Sequence, residues 1–157
     1  MIQPFLQTEV DRSLNSASQT APDRGTYDVN HERKVATVLV VEDTEDNRQM
    51  MRRLLEMSGF RVVEATNGRE AVEVASQVQP QIILMDLSLP IIDGLAATRQ
   101  IRNRPELNSV PIVAVSAHDT ADFHSEALDA GCDAYVTKPI NYTELEHLVT
   151  RLIAANA

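Results

Sequence analysis

Four short apolar runs in this chain end in groups that could do chemistry. Ile82-Ile83-Leu84-Met85 ends in Asp86, and Val38-Leu39-Val40-Val41 ends in Glu42-Asp43. Ile112-Val113-Ala114-Val115 ends in Ser116, and Ala134-Tyr135-Val136-Thr137 ends in Lys138-Pro139. A buried strand should not end in a carboxylate unless something meets its charge. If the runs are parallel strands of one sheet, their carboxyl ends share one crevice, which is where open α/β sheets bind ligands. Three acids, a hydroxyl and a lysine would then line one pocket, suited to a divalent cation and a phosphoryl group. Two carboxylates about 4 Å apart repel by roughly 4 kcal/mol at an effective dielectric near 20. Glu42, Asp43 and Asp86 together therefore need a cation. Lys138 is the only lysine from Val35 onward, and its compact ammonium suits a carboxylate or phosphoryl oxygen. A hard divalent ion would add two charges, and oxygen-only ligands favour Mg²⁺ or Mn²⁺ over zinc. A lone ion pair between Lys138 and Asp86 would leave Glu42-Asp43 and Ser116 unexplained.

The elements that must position these groups follow from periodicity and punctuation. Val35–Glu42 reads as a nearly continuous apolar strand. Thr44 is placed to cap a helix to about Ser58, with Met50, Met51, Leu54 and Leu55 inward and Gly59 as its stop. Arg61–Ala65 is a short strand. Asn67 and Glu70 resemble a capping box for a helix with Ala71, Val72, Ala75 and Val78 inward, closed by Pro80. Gln81–Asp86 is the third strand, and Asp93-Gly94 reads as a turn before a helix to about Arg104, which Pro105 ends. Ile112–Ser116 is the fourth strand, followed by a helix over about Ala121–Ala130 that stops at Gly131. Ala134–Lys138 is the fifth strand. Asn141 with Glu144 opens a last helix through Leu145, Leu148, Val149, Leu152 and Ile153. Alternation of this kind implies a parallel sheet with helices on both faces, and near-uniform apolar strands fit burial on both sides.

Residues 1–34 differ from the 35–157 body. They are rich in Gln, Ser, Thr, Asn and Asp and read as a flexible tail, although Ile2, Leu6, Val10 and Leu14 would line one face of a short helix. A net charge of −9 argues against nucleic acid as a direct partner. The absence of Trp and an aromatic content of 4% leave the core to aliphatic residues and Met. Cys132 is the only cysteine, so no intrachain disulfide forms, and it reads as a small buried apolar residue. No apolar run is long enough to span a membrane and no secretory start is present, so the expectation is a cytoplasmic protein. No second domain is expected to supply an output activity.

The body resembles the receiver domain of two-component response regulators. Val41-Glu42-Asp43 resembles the family's first acidic pair, and Leu84 to Gly94 its phosphoacceptor strand and following loop. Val115-Ser116-Ala117 resembles the hydroxyl position with its small neighbour, and Tyr135-Val136-Thr137-Lys138-Pro139 the aromatic, lysine and proline run. The resemblance implies a flavodoxin-like five-stranded sheet of order 2-1-3-4-5 with five helices on both faces. It implies Asp86 as the nucleophile that accepts phosphate from a phosphohistidine. It implies a Mg²⁺ site, Mn²⁺ being an alternative, made by Asp43, Asp86 and the backbone carbonyl of Ser88, with Glu42 acting directly or through water. Ser116 and Lys138 would each meet a phosphoryl oxygen, Tyr135 would be a rotamer switch that follows Ser116, and the Lys138-Pro139 bond would be cis. Ser116 replaces the commoner threonine, Leu89 a methionine and Glu42 one of two aspartates. The partners implied are a histidine kinase or a histidine phosphotransfer protein and a downstream protein target. The function implied is a phosphorylation-controlled signalling switch that catalyses only its own phosphorylation and dephosphorylation. The stretches around Glu42-Asp43 and Lys138 also resemble receivers attached to hybrid kinases, which keeps a phosphorelay intermediate open. An aspartyl-phosphate phosphatase is disfavoured, since Ser88 stands where a second acid is usual.

Other residues have plainer readings. His118 reads as a solvated loop residue bordering the pocket, and His124 and His147 as surface or boundary positions. Arg48, Arg52 and Arg53 form either a solvated face of the first helix or part of a docking surface for a phosphodonor.

Overall fold

The computed structural model describes residues 34–157. The tail expected over residues 1–34, with its Ile2, Leu6, Val10 and Leu14 stripe, lies outside the described residues apart from Lys34. Five strands alternate with five helices: β1 (Thr37–Val41), α1 (Glu45–Met57), β2 (Arg61–Ala65), α2 (Gly68–Val78), β3 (Ile82–Asp86), α3 (Gly94–Arg102), β4 (Ile112–Ser116), α4 (Ala121–Ala130), β5 (Ala134–Thr137) and α5 (Tyr142–Ala155). The strands pair in parallel in the order β2-β1-β3-β4-β5. This is the flavodoxin-like arrangement that the resemblance implied. Among the described residues no helix is long and apolar enough to cross a membrane.

The two-residue period of each strand divides the core between the faces of the sheet. Val38 and Val40 face one side with Ile82, Leu84 and Val113, where Met51 and Leu55 of α1 and Leu145 and Val149 of α5 cover them. Leu39 and Val41 face the other with Ile83, Met85 and Ala114, covered by Ala71, Val72 and Ala75 of α2, Ala97 and Ile101 of α3, and Ala127 of α4. Small Ala side chains let these helices lie close to the sheet. Four helix starts carry side-chain caps, worth about 1 kcal/mol each. Asn67, Asp93, Thr120 and Asn141 accept from the backbone N–H of Glu70, Ala96, Phe123 and Glu144 respectively.

Several boundaries differ from expectation for identifiable reasons. β1 begins at Thr37 because its pairing with β2 begins there, which leaves Val35 59% exposed. β3 begins one residue late, at Ile82, and α3 ends at Arg102 rather than Arg104. β5 ends at Thr137, the last residue paired with β4, although Lys138 N still donates to the Ser116 carbonyl. Thr44 occupies the N-cap position of α1 without a side-chain cap bond; Glu45 and Asp46 meet the positive end of the helix dipole instead. Met50 and Val78, expected inward, are exposed. Asp93, expected in a turn, caps α3.

Two glycines set the connection from β3 to α3. A Cβ on Gly94 would collide with the carbonyl of Asp86 and crowd the Cα of Leu87. A Cβ on Gly68 would collide with the carbonyl of Ile92. The loop after Asp86 is therefore held at both ends by close backbone approach, which only glycine permits.

Candidate functional site

Strand register brings the polar run-ends together. Val41 pairs with Met85, Asp86 with Val115, and Ser116 with Thr137. Glu42, Asp86, Ser116 and Lys138 therefore emerge side by side at the carboxyl edge of the sheet. Glu42 is 3% exposed, Asp86 5% and Ser116 1%, while Asp43 is exposed. One carboxylate oxygen from each of Glu42, Asp43 and Asp86 lies within 4.8 Å of the others. Lys138 Nζ donates to Asp86 Oδ2 at 3.1 Å and stands 3.7 Å from Glu42 Oε2. Ser88 donates its backbone N–H to Asp86 Oδ1 at 2.9 Å. Asn47 Nδ2 donates to Glu42 Oε1 at 2.9 Å. Ser116 Oγ accepts from the backbone N–H of His118 at 3.1 Å. Beside these groups a cavity of about 250 Å³ runs between α1 and the segment after β5, walled by Met50, Met51, Pro139, Ile140 and Tyr142. The Lys138-Pro139 bond is cis.

Electrostatics follow from this crowding. Burial pushes the Glu42 carboxyl up to about 7, helped by the neighbouring Asp86 carboxylate; Asn47 and Lys138 pull the other way. Burial acts to lower the Lys138 ammonium, but the Asp86 hydrogen bond and the charges of Asp86, Glu42 and Asp43 outweigh it, so the net shift is upward. A cluster that holds a proton on one acid near neutrality is short of positive charge.

A second group of contacts lies where β4, α4 and β5 meet. The Tyr135 hydroxyl donates to the His118 carbonyl at 2.6 Å, and its ring stacks on His124 at 3.9 Å with 21° between planes. His124 Nε2 lies 2.9 Å from Asp119 Oδ1. The His118 ring stacks on Phe123 at 4.3 Å and 7°. His118 is exposed and His124 half-buried at the boundary, as expected; the stack with Tyr135 adds a contact that the boundary reading did not include. Arg48 is not solvated. Its side chain is 16% exposed, and Nη1 donates to the Glu42 carbonyl at 3.1 Å. Arg52 pairs with Glu56 and Glu64, and Arg53 is exposed.

The family model for the response regulator receiver domain matches residues 38–150. The chain belongs to the receiver family. The polar-differentiation response regulator DivK of Brucella anthropi is 37% identical over 105 residues, covering 67% of this chain and 85% of that protein. The DivK of Brucella ovis is 36% identical over the same length. The receiver domain of the sensor histidine kinase PA1611 from Pseudomonas aeruginosa, solved with a magnesium ion coordinated in the active site cleft, is 34% identical. It superposes with a TM-score of 0.72 over 77% of this chain and 99% of that one. A putative response regulator from Chloroflexus aurantiacus is 28% identical, with a TM-score of 0.74 over 77% and 99%. This receiver is thus a two-component signalling domain of the phosphorylation-switch kind rather than a classical enzyme.

Sequence reading missed Asn47, Arg48 and His124 as members of these constellations. For Asn47 and Arg48 a faint signal existed, since both are polar and lie in the first turns of a helix that starts beside the acids. For His124 there was none.

Proposed function

We propose that the receiver accepts a phosphoryl group on Asp86 from a histidine kinase or histidine phosphotransfer protein and so changes its affinity for a downstream protein. The observation that carries this reading is the buried Asp86 carboxylate, met by Lys138 and flanked by Glu42, Asp43 and Ser116. An Asp86 oxygen attacks the phosphorus as the P–N bond of the phosphohistidine breaks, and the imidazole leaves with the bonding electrons. The Lys138 ammonium and the Ser88 N–H, one on each Asp86 oxygen, orient the side chain for that attack. Lys138 then pairs with a phosphoryl oxygen, and Ser116 turns its hydroxyl toward another. Phosphoryl transfer asks for such positioning and charge neutralisation more than for covalent help.

The donor set fits a hard divalent ion. Its ligands are oxygens only, the carboxylates converge, and the cluster lacks positive charge. Glu42, Asp43 and Asp86, with the Ser88 carbonyl, would hold Mg²⁺ or Mn²⁺. When bound, that ion neutralises charge on the transferring phosphoryl oxygens. The magnesium described for the Pseudomonas receiver supports this assignment.

The new charge on Asp86 draws Ser116 inward, and Tyr135 leaves His124 to follow it. The face formed by α4, β5 and α5 then changes shape. Asp122, Glu126, Asp129 and Glu144 are exposed on it, which favours a partner with basic groups. A second reading, a relay that passes the phosphoryl group on to a phosphotransfer histidine, draws support from the likeness to a sensor-kinase receiver. The decisive experiment is intact-mass measurement after incubation with acetyl phosphate and Mg²⁺. Wild type should gain one acid-stable, base-labile phosphoryl group, and Asp86→Asn should gain none. Labelling of Asp86→Asn at the wild-type rate would reject the assignment.

A further inference from the structure

Glu42 is almost fully buried, and a buried carboxylate needs donors. Among the described residues its side chain has one hydrogen bond, from Asn47 Nδ2 to Oε1 at 2.9 Å. Lys138 stands at 3.7 Å from the other oxygen, close enough for charge attraction but too far for a hydrogen bond. Asn47 lies in the first turn of α1 and its side chain forms part of the pocket wall. The next residue, Arg48, reaches back to the main chain of the same glutamate, its Nη1 donating to the Glu42 carbonyl, while Nε lies 3.8 Å from Glu64 Oε1 on β2. Two consecutive residues of α1 therefore hold Glu42 at both ends, one at the backbone and one at the carboxylate. This matters more for a glutamate than for an aspartate, since the longer arm has an additional staggered torsion to fix.

We propose that Asn47 is a positioning residue that aims the Glu42 carboxylate at the cation site, with Arg48 fixing the main chain beneath it. The inference rests on the reading of Glu42, Asp43 and Asp86 as a Mg²⁺ site and adds the residue that makes the longer arm usable. Outer hydrogen bonds to metal-binding side chains typically govern affinity by about 10–100-fold. Asn47 acts through Glu42 and not on the phosphoryl group. Its loss should therefore raise the Mg²⁺ concentration needed for phosphorylation and leave the rate at saturating Mg²⁺ unchanged.

The test is calorimetric titration of the full chain with Mg²⁺ in four forms: wild type, Asn47→Ala, Glu42→Asp and the double variant. Asn47→Ala should bind Mg²⁺ about tenfold more weakly, while its phosphorylation rate at saturating Mg²⁺ matches wild type, a split that a purely structural role would not produce. In Glu42→Asp the carboxylate retreats by about one carbon–carbon bond, 1.5 Å, out of reach of Asn47. Adding Asn47→Ala to Glu42→Asp should then weaken binding no further. Unchanged affinity in Asn47→Ala would overturn the inference, as would equal losses in both backgrounds, because the amide would then be acting without Glu42. If wild type bound no Mg²⁺, or if Asp43→Ala and Asp86→Asn bound it as well as wild type, the metal-site reading would fall and this inference with it.

Discussion

Glu42 gives the site a pH signature that can be worked out in sign. Its carboxyl is raised from 4.5 to about 7, chiefly by burial and then by Asp86. The folded metal-free protein therefore holds this proton more tightly than the unfolded chain does. Stability with Mg²⁺ removed should be highest below about pH 4.5 as far as this group is concerned, fall as pH rises from there to about 7, and level off above. Urea midpoints in EDTA across that range should show the fall in wild type and a flatter profile in Glu42→Gln. Saturating Mg²⁺ should likewise flatten it, because the cation replaces the proton. At this scale the sequence was informative wherever an apolar run stopped at a polar group, as at Asp86, Glu42-Asp43, Ser116 and Lys138. It gave only a faint signal for Asn47 and Arg48, whose bonds run five and six residues back along the chain to Glu42. Those bonds exist only because α1 turns over the loop that precedes it.

The segment joining β4 to α4 is tied to β5 through Tyr135, and the tie is made of weak contacts. An aromatic stack contributes about 0.5–1.5 kcal/mol, so His124→Ala should shift Tyr135 toward its inward state by several-fold. His124→Phe should keep most of the stack while losing the pair with Asp119, and so should stay near wild type. Ring chemical shifts of Tyr135, followed by NMR with and without beryllofluoride, distinguish the two variants. Beryllofluoride should also alter amide exchange between Ser116 and Glu144; changes restricted to α1 would instead place the output face there. Helix and strand positions were legible because capping residues and apolar periodicity act locally. Asn67 and Asn141 cap as their spacing with Glu70 and Glu144 suggested. The His124–Tyr135 stack was not legible, because the ten intervening residues must first fold to bring the rings together.

Across the whole molecule, the site sits on the rim of a sheet whose central residues, Leu39, Ile82, Ile83 and Met85, have no exposed surface. The rim can change its contacts without disturbing that interior. The exception is Gly94, where α3 touches the main chain of Asp86 itself. Gly94→Ala forces backbone apart and should cost about 1–3 kcal/mol, read as a lower urea midpoint, and should slow phosphorylation by displacing the acceptor strand end. Parallel order and helices on both faces were legible from the alternation of elements. The close approach at Gly94 was not, since nothing in Asp93-Gly94 says which backbone lies opposite. The placement of two aromatic rings gives the molecule a use of another kind. Tyr135 rests on His124 beside β5, Tyr142 forms part of the pocket wall, and the chain has no tryptophan. At ultraviolet wavelengths beyond the phenylalanine band, tyrosine alone absorbs in this protein, with no indole to collect the excitation. Once Tyr27 is replaced by Phe, one remaining chromophore stands at the cation pocket and the other at the moving ring. The protein then carries its own lamp for each of the two events that signalling requires.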